Sequence, residues 1–220
     1  MFCGDCSGIK MMNSTEAQLK LVALEKSGDE RWRGLVNLYE AKAQATLDFL
    51  QNISEDNALK PVVAGRTLIE VVDHIRAWDQ WETDAGLIPI ASGIKKPQIM
   101  KFRNFVDRRG LVSHYDYLPS HQAVDRFNQE RAEELDLFLK YRGLTWPFVV
   151  EELRQITNRL AAAARDIPAE VAEQAELHLW RVLGEPVPHA VYLVAVSTFH
   201  VAIDGEYGVD FNLAGVNNFK

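Results

Sequence analysis

Apolar residues recur along this chain mainly at spacings of three and four, the period of one face of a helix, with almost no strand-like alternation. Between residues 29 and 52 that face is Leu35, Tyr39, Ala43, Leu47 and Leu50, and a lighter helical stretch covers residues 15–26. A second predicted helix opens at GRTLIE, where Thr67 and Glu70 stand at capping-box spacing. Leu68, Val71, Val72, Ile75, Trp78 and Trp81 carry its apolar face to about residue 85. Pro89, Gly93, Pro97, Gly110 and Pro119 then interrupt the pattern over residues 86–118. This reads as a long connection, or as one holding short helical pieces.

Helical signal returns over residues 121–141 and 146–166. In the latter, Pro147 suits a first turn, and Glu151 and Glu152 suit the positive end of the helix dipole. Residues 170–183 are a shorter candidate. The last helix begins at Pro186 or Pro188 and ends around Gly205 and Gly208, residues that favour a helix C-terminus. Four helices of roughly twenty residues or more, with short accessory ones, predict an all-α antiparallel four-helix bundle. The last helix is apolar nearly all round and is expected to be the most buried.

At 220 residues the chain suffices for one large domain, and no shift of composition marks a second. We expect a flexible tail over residues 1–13 and a single helical domain over 14–220. A formal charge of −7 argues against nonspecific attraction to nucleic acid or to an anionic membrane surface. No apolar run reaches the roughly 20 residues of a membrane span, and the N-terminus lacks an apolar signal-peptide core. Both cysteines, Cys3 and Cys6, fall in the tail without a second C-x-x-C pair. With none in the body of the chain, a reduced, cytoplasmic setting is expected.

Candidate chemistry lies in STFHVAIDGEYG, residues 197–208. His200 and Asp204 are four apart, so on a helix they share a face, with Ser197 a turn before and Tyr207 a turn after. An ionised aspartate in an apolar interior must be neutralised by a proton, a cationic side chain or a metal ion. On the second helix His74 falls on the stripe Val71, His74, Trp78, Trp81. Two imidazoles and one carboxylate are a recurrent ligand set for zinc, nickel or iron, with positions left for water and substrate. The plainer alternative is a hydrogen-bonded core histidine and an ion pair at a helix end. Glu70, one turn before His74, is a candidate base as well as a cap, and Tyr207 a candidate donor to developing negative charge.

Three segments carry a family resemblance. GRTLIEVVDHIRAWDQWE resembles the second-helix signature of the DinB/YfiT-like superfamily, in which a ligand histidine is followed one turn later by tryptophan, as in His74 and Trp78. Phe127–Asn128 within DRFNQERAEELDLFL resembles the segment before the third bundle helix, and FHVAID takes the place of the final-helix H-x-x-x-H. The resemblance spans about residues 30–208. It implies an up-down-down-up bundle, often a homodimer, holding a divalent metal with three histidines. It also implies a hydrolase or a transferase using a low-molecular-weight thiol on an electrophilic small molecule. His74 and His200 match two of the ligands, and Asp204 stands where the family has histidine. That departure keeps a second reading open: a metal-free bundle that binds a small ligand or a partner protein.

Other features are weaker. Lys95, Lys96, Lys101, Arg103, Arg108 and Arg109 gather in the long connection, either a solvated stretch or a grip for an anionic substrate. His114 and His121 flank a proline, and His178 and His189 have no ligand-spaced partner. Serine-nucleophile, phosphate-loop and dinucleotide motifs are absent.

Overall fold

Where the three-and-four stripe is strongest, the chain is helical along its whole length. The computed structural model describes residues 15–63, 66–93, 145–174, 177–179 and 182–203. The expected tail, the long connection beyond residue 93, the helix expected over 121–141 and everything after residue 203 lie outside these.

Helix α1, Thr15–Glu25, leads through Ser27 and Gly28 into α2, Gly28–Leu50. Gly28 takes a φ of 57°, a left-handed backbone that glycine adopts without a Cβ penalty. Along α2 the predicted stripe is buried, with Trp32, Val36 and Thr46 added to it. A short helix α3, Glu55–Ala58, follows. Strands β1, Pro61–Val63, and β2, Arg66–Thr67, then pair antiparallel before α4, Leu68–Trp81.

Where sequence periodicity ends α4 near residue 85, the helical path continues. Glu82–Leu87 forms a π-helix and Ile88–Ala91 a final α-turn, α5. Pro89 does not stop it: it follows directly on the wide π-helical turns, and its fixed φ suits the first turn of α5. A Cβ added at Gly86 would meet Leu193 Cδ1 at 2.5 Å. Glycine is therefore what lets the π-helix backbone lie against the last helix.

Helix α6 spans Trp146–Arg165 and is followed by the single turn α7, Ala169–Ala172. Of the helix expected over residues 170–183, only the turn α7 is helical among the described residues: Leu177–Leu179 is a strand, β3, antiparallel to β4, Pro186–Pro188. Two prolines in β4 and Gly184 at φ 79° favour extended chain and a turn over helix. The last helix, α8, runs His189–Val201, and every residue in it except Phe199 is buried.

The described chain is mostly helical, and its helices share one hydrophobic cluster. Within it α2 and α4 each pack against both α6 and α8. Side-chain-to-backbone bonds tie the layers together. The Trp32 indole N–H donates to the Ile167 carbonyl at 2.9 Å, and that of Trp146 donates to Ile53 at 2.8 Å. The Thr46 hydroxyl donates to the Val201 carbonyl at 2.6 Å. This last bond satisfies a carbonyl that the end of α8 would otherwise leave open, and it pins α8 beside His200. None of the described helices is long and apolar enough to cross a membrane.

Candidate functional site

The packing of α4 on α8 brings two distant histidines together. His74 is fully buried on α4 and His200 is 4% exposed on α8. Their ring centroids are 6.1 Å apart and the rings are inclined by 72°. Trp78, one turn after His74 and fully buried, meets the His200 ring edge-on at a centroid distance of 5.2 Å. Trp81 backs Trp78 at 5.1 Å. The aromatic stripe of α4 is thus core, and it also fixes the orientation of His200.

The pair can be tested against a metal. With metal–nitrogen bonds of about 2.0–2.1 Å, two imidazoles on a tetrahedral ion have centroids roughly 5 Å apart. The observed spacing is about an ångström wider, within reach of a side-chain adjustment, and the donor type is right. Among the described residues no group of three His, Cys, Asp or Glu side chains is arranged to hold an ion. The expected third ligand, Asp204, and the candidate donor Tyr207 lie outside the described residues, as do Cys3, Cys6, His114, His121 and the basic cluster of residues 95–109.

Glu70 is placed clearly. Its carboxylate accepts the Thr67 backbone N–H at 2.6 Å, the reach-back half of a capping box that starts α4. That bond commits Glu70 Oε2 to the cap. His189 is buried and stacks on Tyr192 at the start of α8, with ring centroids 6.2 Å apart.

The structure adds a centre that the spacing argument did not single out. Asp79 on α4 and Glu82 at the start of the π-helix are both fully buried, as is Ser197 on α8. The Ser197 hydroxyl lies 2.8 Å from Asp79 Oδ1 and is also hydrogen-bonded with Glu82 Oε2. The Tyr39 hydroxyl, from α2, donates to Asp79 Oδ2 at 2.8 Å. Burial raises the Asp79 carboxyl to a pKa of about 6, against the opposing pull of the Tyr39 and Ser197 hydrogen bonds and the nearby His200. Burial, reinforced by Asp79, also raises the Tyr39 phenol well above its usual value. A signal was present in the sequence: Asp79 is seven residues after Val72 and Glu82 seven after Ile75, so both continue the buried stripe of α4.

Two surface clefts flank this core without reaching the histidines. One, about 490 Å³, lies between α2 and the α6–α7 turn, with Trp32 and Ile167 on its walls. The other, about 530 Å³, lies between α2 and α6, and Tyr39 is among its lining residues. Comparison of the chain with protein-family models, with curated proteins and with solved structures finds no match to any of them.

Proposed function

We propose that the chain is a cytoplasmic, metal-dependent enzyme of the DinB/YfiT-like kind, built on an up-down-down-up antiparallel four-helix bundle. The observation that carries this reading is the meeting of His74 and His200, two buried imidazoles from helices far apart in sequence. With Asp204, four residues further along the sequence and past the end of α8 at Val201, they would make up a two-imidazole, one-carboxylate ligand set for zinc, nickel or iron. A metal held there supplies an activated water or thiol, or polarises a substrate carbonyl. The reaction is a hydrolysis, or a transfer to a low-molecular-weight thiol, at an electrophilic small molecule, and the enzyme works as a homodimer.

The chain's own residues have defined tasks in this reading. Trp78 holds the His200 ring, and the apolar faces of α4 and α8 keep bulk water from the pair. Tyr207 donates a hydrogen bond to negative charge developing on the substrate. Glu70 serves α4 as its cap first, and base chemistry is secondary to that.

A second reading is favoured by the close packing of Trp78 on His200: a metal-free bundle in which the histidines are core, binding a small ligand or a partner protein. Elemental analysis separates the two. Protein purified without chelator, or reloaded with zinc or nickel, is expected to carry about one metal per chain, and His200→Ala to lose it. Metal-free wild type after loading would refute the enzyme and leave the second reading.

A further inference from the structure

The prolines of β4 dictate which way the backbone of β3 faces. Leu177 stands opposite Pro188, His178 opposite Val187, and Leu179 opposite Pro186. In an antiparallel pair, opposed residues alternate between those that exchange both N–H···O bonds and those that exchange none. Pro186 and Pro188 have no N–H to exchange, so the bonded pair is His178 with Val187. Leu177 and Leu179 therefore turn their backbone N–H and C=O groups away from β4. Among the described residues no strand pairs with that outer edge.

The edge is also apolar. Leu177 and Leu179, two residues apart and so on one face of the strand, are 62% and 71% exposed, more than any other large hydrophobic side chain among the described residues. Val187, on the other face of the hairpin, is buried. β3 carries no lysine, proline or bulge of the kind that blunts an exposed edge. Four unpaired backbone groups beside two exposed leucines are a template for another strand.

We propose that β3 is a self-association edge: two copies of this chain join by pairing their β3 strands antiparallel across a two-fold axis, with Leu177 of each opposite the partner's Leu179. The register follows from the edge groups. With position 178 on the axis, each of the two leucine pairs exchanges two hydrogen bonds, and every outward N–H and C=O of the two strands is satisfied. Any other register leaves a leucine's backbone groups unpaired. Charge favours a second copy as the occupant. β3 has no carboxylate, lysine or arginine to repel its own image, and in the sequence Glu176 precedes it and Arg181 follows it. Antiparallel copies thus bring the acidic end of one strand towards the basic end of the other. Three residues a side fall short of the roughly 1,200 Å² at which lasting interfaces begin, so the pairing is reversible and concentration-dependent. The proposal gives an interface to the homodimer of the reading above, rests on that part of it alone, and is indifferent to whether the histidines hold a metal.

The test uses the full chain, with Cys3→Ser and Cys6→Ser added in the cross-linking variants. Sedimentation equilibrium is expected to show wild type passing from monomer to dimer as concentration rises. Leu177→Lys with Leu179→Lys sets lysine opposite lysine across the axis. This double variant is expected to weaken the dimer at least tenfold and to leave the urea midpoint unchanged, because both side chains are exposed. Position 178 meets its own copy at a non-bonded pair, with Cα atoms about 4.5 Å apart, so His178→Cys is expected to form a disulfide dimer in a glutathione redox buffer. Position 179 lies diagonally from its own copy, beyond the roughly 7 Å reach of a disulfide, so Leu179→Cys is expected to stay uncross-linked. Three results overturn the proposal. A wild type that is monomeric at the highest concentration also removes the homodimer, and leaves the edge to a strand of a different protein. A dimer that survives the double lysine variant keeps the homodimer but moves it to another surface. Cross-linking at position 179 without cross-linking at 178 refutes the register.

Discussion

Replacing Asp79 with asparagine tests whether the buried carboxylate weakens the fold at neutral pH. Its pKa rises from 3.8 to about 6 on folding, chiefly through desolvation. Each unit is worth about 1.4 kcal/mol, so the ionised group costs about 3 kcal/mol once both states are deprotonated. The sign follows from proton binding. A raised folded-state pKa means that the native protein holds this proton more tightly than the unfolded chain does. Stability from this group is greatest below pH 3.8 and is lost as pH rises to about 6. Asparagine has no such proton. The stability of wild type minus that of Asp79→Asn, from urea unfolding in matched buffers, should fall by about 2 kcal/mol between about pH 4 and pH 7. Carboxylates remote from the site are common to both proteins and cancel. Parallel curves across that range, or a difference that grows with pH, would refute the argument.

Other perturbations act through packing and hydrogen bonds. Trp78→Ala, at a fully buried position against His200, should cost about 3–5 kcal/mol in urea unfolding, and Trp78→Phe should recover part of that. Glu173→Ala should cost about 1–2 kcal/mol in the same assay. It removes the carboxylate paired with Arg31 Nε at 2.7 Å, in a part-buried clasp that also reaches the Ala23 carbonyl. Thr46→Val removes the donor to the Val201 carbonyl and should cost about 1 kcal/mol, with faster amide exchange expected at the end of α8.

How legible the molecule was in its sequence varied with the length of the signal. The stripe of α2 runs for six turns, and periodicity sums over turns, so α2 was placed to within a residue or two at either end. The Thr67–Glu70 cap was equally readable, because a reach-back bond has a fixed spacing. Two features were missed for the same reason: they occupy too few residues for a period to register. The β3–β4 hairpin is made of three-residue strands, and the π-helix adds a single wide turn to a helix whose pattern Pro89 had seemed to interrupt. His74 and His200 were legible as polar residues on apolar stripes. That their rings would meet depends on how α4 packs on α8, which no local spacing encodes. Asp79 and Glu82 were not singled out, although each stands seven residues after a buried apolar position, Val72 and Ile75.

That oversight points to how the two centres are related. Interiors resist ionisable groups, and a helix that buries His74 and Asp79, with Glu82 just beyond it, in a mainly apolar core sacrifices stability at each of these positions. The opposing helix answers with Ser197 and His200, one turn apart on α8. Helices that needed only to pack would be better served by aliphatic residues at all five positions, since replacing buried charged networks by apolar ones is often neutral or stabilising. A chain that breaks its own burial rule on two facing helices has gathered a polar cluster there. Local rules are most often violated where function demands it. The imidazoles form one side of that cluster and the carboxylates another, and Ser197 and His200 belong to both by sharing a face of α8. A substitution on either side is therefore expected to disturb the other, so coupling between Glu82 and His200 in a double-mutant cycle should exceed the few tenths of a kcal/mol seen for independent sites.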